Sequence, residues 1–247
     1  LEGILMIKIN RCLPPDYLTS SKVSELTYKF KSEHKNVWTH EGIKNSLMRM
    51  SHNKCAYCEV NLGKCGCYLE VEHFKDKNTY PDDVVNWNNL LPSCKHCNVS
   101  KGKHNVVDEP IINPCDIDPR EHLYFQNYRL KGKTDLGNLS IEVLDLNNTK
   151  HLVLPRCEVG NKLSERIEEL NRSYSIDNER EKRKLVRTIK AILEECQADS
   201  LFSALSASVV LMSDEYSNLK NKMVSDSLWN DELGELERKS KDLVLQC

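Results

Sequence analysis

Apolar positions fall into a helical rhythm over residues 16–50, where Leu26, Phe30, Val37, Ile43 and Leu47 recur near the spacing that keeps one helix face dry. The rhythm breaks at residues 36–39, so two helices are predicted. Over residues 51–113 the periodicity disappears, and turn formers such as Asn61-Leu-Gly and Tyr80-Pro-Asp alternate with six cysteines and four of the eight histidines. After Pro114 two runs of β character, 122–128 and 140–146, separated by Lys131-Gly-Lys and Leu136-Gly, predict an antiparallel hairpin. Beyond Asn148 helical patterning returns through 163–170, 177–197, 201–212 and a charged final segment, 229–245. The fold class expected is α+β, mainly α.

Composition narrows the class. With 247 residues, 39% of them hydrophobic and 29% charged, the chain can bury a core of its own as one domain or two small ones, and fibrous or disordered classes are excluded. No apolar run of about eighteen residues escapes interruption by charge, and no export signal opens the sequence, so a cytoplasmic protein with no membrane contact is expected. Residues 1–5 precede a Met6-Ile-Lys-Ile start and read as vector-derived. A formal net charge of −2 gives no global attraction to a polyanion, so any nucleic-acid contact must come from local cations. The mixed-charge stretch 178–184 reads as a solvated helix face, and 201–212 as a small-residue helix packed in a core.

Eleven cysteines, an odd number, in a chain read as cytoplasmic point to metal ligands and reduced thiols before disulfides. Cys55-Ala-Tyr-Cys58 and Cys94-Lys-His-Cys97 are two CxxC knuckles, each able to place two thiolates on one tetrahedral ion. Four thiolates leave no open position, so a zinc ion held by them is structural. The thirty-five residues between the knuckles, 59–93, exceed the spacing of a simple zinc ribbon, about fifteen to twenty. Something is therefore built inside the clip. Cys65-Gly-Cys67 is read as free thiols or an auxiliary ligand pair, and Cys115 and Cys157 as packing.

Inside the clip lies a strand-like run, Leu69-Glu-Val-Glu-His-Phe74, then Trp87-Asn-Asn-Leu-Leu91 leading into the second knuckle. Glu72-His73, Asn89-Leu90 and Cys94-Lys-His-Cys97-Asn98-Val-Ser-Lys101-Gly102 resemble the successive elements of the HNH endonuclease motif. That resemblance implies a ββα-metal fold at residues 51–113, between a helical segment at 6–50 and a hairpin extension with a helical region at 114–247. It implies His73 as general base, Glu72 and Asn98 as ligands of a catalytic magnesium or manganese ion, and Asn89 as the residue that ties the connecting loop. Lys101 is expected to contact phosphate and Ser93 to cap the site's helix. Histidine's ordinary pKa suits base chemistry near neutrality, and oxygen donors suit hard divalent ions. Two departures stand out: Glu replaces the family's more common Asp before the histidine, and Asn98 makes this an H-N-N variant. His52, His96 and His104 flank the site and are read as surface residues.

The Met-Ile-Lys-Ile start, the Glu-His-Phe-Lys run, the Asn-Leu-Leu-Pro-Ser-Cys-Lys-His-Cys segment and the helical tail are similar to the HNH nuclease subunit of Septu-type anti-phage systems. The resemblance implies an ABC/SMC-like ATPase as partner, a nucleic-acid substrate (DNA, or RNA including tRNA), and association in some operons with a retron reverse transcriptase and its multicopy DNA. No Walker-type glycine loop occurs in the sequence, so nucleotide binding falls to such a partner. The competing reading is a non-catalytic zinc-clipped module that binds nucleic acid or a partner.

Overall fold

The computed structural model describes residues 6–64 and 66–245. The vector-derived reading of residues 1–5 and the Cys65 half of the CxC element lie outside the described residues.

Residues 6–15 carry no helix or strand and are tied down by hydrogen bonds to distant segments. Ile9 N–H donates to the Pro114 carbonyl at 2.8 Å, and the Arg11 guanidinium donates to the carbonyls of Trp87 and Leu90 at 2.6 and 3.0 Å. The two expected helices follow as α1 (Ser20–Glu33) and α2 (Glu41–Met50), each started by a side chain that accepts an otherwise orphaned N–H: Thr19 from Lys22, and His40 from Gly42. The apolar positions that predicted them, Leu26, Phe30, Ile43 and Leu47, are buried.

Strands β1 (Glu70–His73) and β2 (Leu90–Ser93) pair antiparallel, with Glu72 opposite Leu91 and His73 opposite Leu90, and α3 (Lys95–Lys101) follows directly. Pro92 cannot donate to a ladder, yet its carbonyl accepts the Ala56 N–H at 2.8 Å, which seats the first cysteine knuckle on β2.

The second hairpin differs from expectation. Strands β3 (Leu123–Gln126) and β4 (Arg129–Gly132) close through Asn127 and Tyr128, whose φ values of 50° and 62° are those of a type I′ turn, so the strand partner of 122–128 is the segment immediately after it. Residues 140–146, expected as that partner, lie largely in α4 (Asp135–Val143). Thr134 caps this helix by accepting the Gly137 N–H, and Leu136, Leu139 and Val143 recur at helical rather than alternating spacing. Gly137 permits the close approach of α4 to the hairpin: a Cβ there would stand 2.1 Å from the His122 carbonyl oxygen.

A π turn, Thr149–Val153, leads into α5 (Leu154–Arg172), followed by α6 (Glu179–Glu194), α7 (Ser203–Leu211), α8 (Asp214–Ser225) and α9 (Asp231–Lys241). The small-residue helix α7 is buried almost all round between α5, α8 and α9, as its composition predicted. Helix α8 was not anticipated; its dry face is only Tyr216, Leu219 and Met223. The architecture is α+β and mainly α. Among the described residues no helix is long and apolar enough to cross a membrane.

Candidate functional site

The two knuckles meet. The Sγ atoms of Cys55, Cys58, Cys94 and Cys97 all lie within 4.8 Å of one another in a buried cluster, and Cys58 and Cys94 are 3.6 Å apart. Four sulfurs at the corners of a tetrahedron around zinc, each about 2.3 Å from it, would be spaced by about 3.8 Å. The donor set and its dimensions therefore fit a structural metal such as zinc. Cys94 is also the N-cap of α3, its sulfur accepting the Cys97 N–H at 3.5 Å. The cap expected of Ser93 thus falls one residue later, while Ser93 Oγ donates to the Cys94 carbonyl at 3.1 Å. Against the effect of burial, donation from the thiols of Cys58, Cys94 and Cys97 holds Cys55 well below the ordinary thiol range, and the same contacts with Cys55 hold Cys58 and Cys97 well above it. Cys67 lies beside the cluster; burial, then the sulfurs of Cys94 and Cys55, push its thiol up to about 11.

Two buried charged groups flank the clip. Lys54 and Glu59, 1% and 0% exposed, bracket the first knuckle and pair at 2.6 Å. Ser203 of α7 completes the set: it accepts from Lys54 Nζ at 2.9 Å and donates to Glu59 Oε2 at 2.6 Å, while Lys54 also donates to the Ser200 carbonyl at 3.1 Å. Arg156 of α5 is fully buried between the rings of Phe125 and Phe202 and donates to the Leu146 carbonyl. Burial lowers its pKa, and the charges of Cys58, Glu59 and Cys97 oppose that shift. Four thiolates on Zn²⁺ would leave a net double negative charge, which a buried guanidinium nearby offsets.

The end of β1 opens into a pocket of about 280 Å³ lined by Trp38, Glu70, Glu72, His73, Lys77 and Asn98, among others, and the Tyr57 hydroxyl of the first knuckle donates to Glu72 Oε1 at 3.4 Å. Alternation along the strand places Glu70 and Glu72 on one face. Asn98, on α3, donates its carboxamide N–H to Glu70. Glu72 is 3% exposed and sits 2.7 Å from the ammonium of Lys101; burial, only partly offset by Lys101, raises its carboxyl to about 6. Lys101 does not face outward as expected of a phosphate contact. Its side chain is buried, and Nζ also donates to the His73 carbonyl at 2.9 Å, tying α3 to the end of β1.

His73 is held on two sides. Its Nε2 lies 2.9 Å from the Val84 carbonyl, and its ring meets the edge of Trp38 with centroids 4.7 Å apart at 85°. A carbonyl only accepts, so Nε2 carries the proton and Nδ1 keeps the lone pair. Burial lowers the imidazole to about 4, so the ring is neutral at neutral pH. Asn89 fixes the loop that supplies the Val84 carbonyl. Its Oδ1 accepts the Lys75 N–H at 2.7 Å, and its Nδ2 donates to the carbonyls of Lys75 and Asp83 at 3.1 and 3.2 Å. Asp76, inside this loop, accepts from the N–H groups of Asn78 and Thr79 and closes its tip.

Glu72, His73 and Asn98 thus line one pocket, Asn89 acts from behind it, and the four cysteines form a separate closed cluster. The sequence reading missed Glu70, Trp38 and Lys77 at the pocket and Arg156 beside the clip. Glu70 was recoverable from the two-residue strand period relative to Glu72; the others approach from elements whose docking no local pattern encodes. Of the flanking histidines, His96 and His104 contact the carbonyls of Asp145 and Glu109, and His52 is exposed with φ 55°.

Among known proteins, the chain is 41% identical over 233 residues to the Septu protein PtuB of Bacillus thuringiensis, covering 92% of this chain and 90% of that one. It is 33% identical over 153 residues to the Septu protein PtuB of Bacillus mycoides (strain KBAB4), covering 49% of this chain and 51% of the relative. No family model matches the sequence.

Proposed function

Since this chain belongs to the family of the Septu protein PtuB, we propose that it is the nuclease subunit of an anti-phage defence complex: an HNH endonuclease that hydrolyses nucleic-acid phosphodiester bonds. The observation that carries this reading is the state of His73. A neutral imidazole, with one nitrogen committed to the Val84 carbonyl and the other free beside an acidic pocket, is the form a general base requires. An approaching anionic phosphate raises its pKa from about 4 toward the working range.

Glu72 and Asn98, with Glu70 beside them, form a set of carboxylates and a carboxamide whose oxygens suit magnesium or manganese rather than a softer metal. A divalent ion held there would supply positive charge to the reacting phosphate and the leaving oxygen. Lys101 and the Tyr57 hydroxyl both contact Oε1 of Glu72, at 2.7 and 3.4 Å, which leaves Oε2 as the oxygen for such an ion. Asn89 orients the base through the loop, and the four-cysteine clip holds β2 and α3 at the angle that brings Asn98 to Glu70. An ABC/SMC-like ATPase is the expected partner, with a retron reverse transcriptase and its multicopy DNA a further associate in some operons.

The test is cleavage of plasmid DNA, single-stranded DNA and total tRNA by the purified chain with magnesium or manganese, with and without the ATPase, against His73→Ala. Metal-dependent cleavage lost in the variant supports the reading and identifies the substrate. Equal cleavage by both proteins removes His73 as the base, and no cleavage even with the ATPase present leaves a zinc-clipped binding module.

A further inference from the structure

We propose that Lys77, held over the indole of Trp38, is a phosphate-binding residue of the pocket, with Trp38 as its positioning residue; this rests on the nuclease reading above. The pocket presents three carboxylates, from Glu70, Glu72 and Asp76, so a nucleic-acid backbone entering it meets like charge unless cations at the mouth oppose it. Lys101 is occupied by Glu72 and the His73 carbonyl. Lys44 is paired with Glu41 at 2.9 Å. Lys77 is different: among the described residues its ammonium has no carboxylate within 4 Å and no hydrogen-bond acceptor, its charge reaching Asp76 only at longer range, and it lies 5.4 Å from the centroid of the Trp38 ring.

That ring is itself fixed. Trp38 is half-buried, its edge contacts His73 at 4.7 Å between centroids, and Phe30 packs on it at 5.9 Å. Ammonium, indole and imidazole are therefore consecutive neighbours, and the Lys77 charge reaches both His73 and Glu72, lowering the pKa of each. A free lysine would sample many rotamers. Attraction to the π face confines this one beside the base while leaving its three N–H donors unspent. An ammonium is a point charge without the directional fork of arginine, so it suits the oxygens of a phosphate regardless of the attached base.

The test uses the full chain in a His73→Ala background, so that oligonucleotides are bound without being cut. Fluorescein-labelled single-stranded DNA, its duplex and RNA of the same sequence are titrated by anisotropy across a potassium chloride series. Lys77→Gln should weaken binding to all sequences alike and flatten the plot of log affinity against log salt by about 0.7 for single strands and about 0.9 for duplex, the loss of one phosphate contact. Lys77→Arg should restore the slope. Trp38→Leu should reduce it as Lys77→Gln does, Trp38→Phe should preserve it, and Lys182→Gln on the remote α6 should leave it unchanged. An unaltered slope in Lys77→Gln, with binding by the background protein intact, overturns this assignment alone. Failure of the background protein to bind any of the three oligonucleotides, alone and with the ATPase present, overturns the nuclease reading and this assignment with it.

Discussion

Replacing Asn89 with alanine separates loop geometry from proton-transfer chemistry. The side chain is 5% exposed and satisfies one backbone N–H and two carbonyls, those of Lys75 and Asp83. At about 1 kcal/mol net for each hydrogen bond, the truncation should cost about 3 kcal/mol if water cannot reach the freed groups, and less if the partly exposed Lys75 end hydrates. For a chain of this size that corresponds to a fall of up to about 6–12 °C in Tm. The larger effect should be on rate. Val84, whose carbonyl holds His73 Nε2 at 2.9 Å, is the residue immediately after Asp83, so releasing Asp83 loosens the acceptor that orients the imidazole. A displacement of about 1 Å at a catalytic group costs about a hundredfold. Single-turnover cleavage by Asn89→Ala should therefore fall about a hundredfold while oligonucleotide affinity stays within about twofold. Asn89→Asp, which keeps the acceptor for the Lys75 N–H but loses both donors, should fall between. Nitrogen-15 spectra of the imidazole should show the protonated Nε2 signal broadened or replaced. Cleavage at the wild-type rate, or loss of cleavage in proportion to loss of binding, would refute the loop argument.

Cys94→Ser should abolish stoichiometric zinc binding and the cooperative melt, whereas His73→Ala should retain both; equal melting curves for the two variants contradict the division between clip and pocket. Within the buried set of Lys54, Glu59 and Ser203, Lys54→Met should cost about 3–5 kcal/mol by leaving Glu59 unpaired, and Lys54→Met with Glu59→Leu should recover most of it in urea unfolding. A double variant no more stable than the single one would show that packing, not charge, dominates there. Titration should expose opposing slopes without added divalent ion. His73, depressed to about 4, withholds a proton that the unfolded chain takes up below about 6.5, so its contribution makes stability rise with pH across that window, by about 3 kcal/mol in all. Glu72, raised to about 6, retains a proton that the unfolded chain releases, so its contribution falls by about 2 kcal/mol between about 4.5 and 6. The two cancel in part in the wild type, leaving a net rise of about 1 kcal/mol; Glu72→Gln should reveal the full rising limb, and a flat profile in that variant is incompatible with a buried neutral His73.

The legible parts of the chain were those with a local physical signature. Paired knuckles announce a metal cluster because two thiolates three residues apart fit one ion, and residues 16–50 announce helices because Leu26, Phe30, Ile43 and Leu47 share a face. Residues 140–146 misled because Ile141 and Val143 favour strands by composition, while capping by Thr134 and the helical recurrence of Leu136, Leu139 and Val143 favour a helix. Helix α8 escaped notice because its apolar face is only three residues wide. The order of Glu72, His73 and Asn98 in the pocket, with Asn89 behind it, was readable along the chain. The inward turn of Lys101 was not, because it depends on how α3 docks on β1. Lys77 and Trp38 meet across an interval of nearly forty residues, and only the folded chain puts one over the other.

The buried ion pair at the first knuckle also bears on how this protein is inherited and how it is engineered. Lys54 and Glu59 lie within residues 51–113, but the hydroxyl that bridges them belongs to Ser203, nearly a hundred and fifty positions downstream. A fragment cut at residue 113 would lose the Ser200 and Ser203 partners of this lysine and glutamate and open the pair to water, so the first knuckle and the C-terminal helices are structurally interdependent. Recombination that exchanged residues 51–113 between relatives is expected to succeed where the incoming segment brings apolar residues at both positions or the recipient already offers a hydroxyl on that helix.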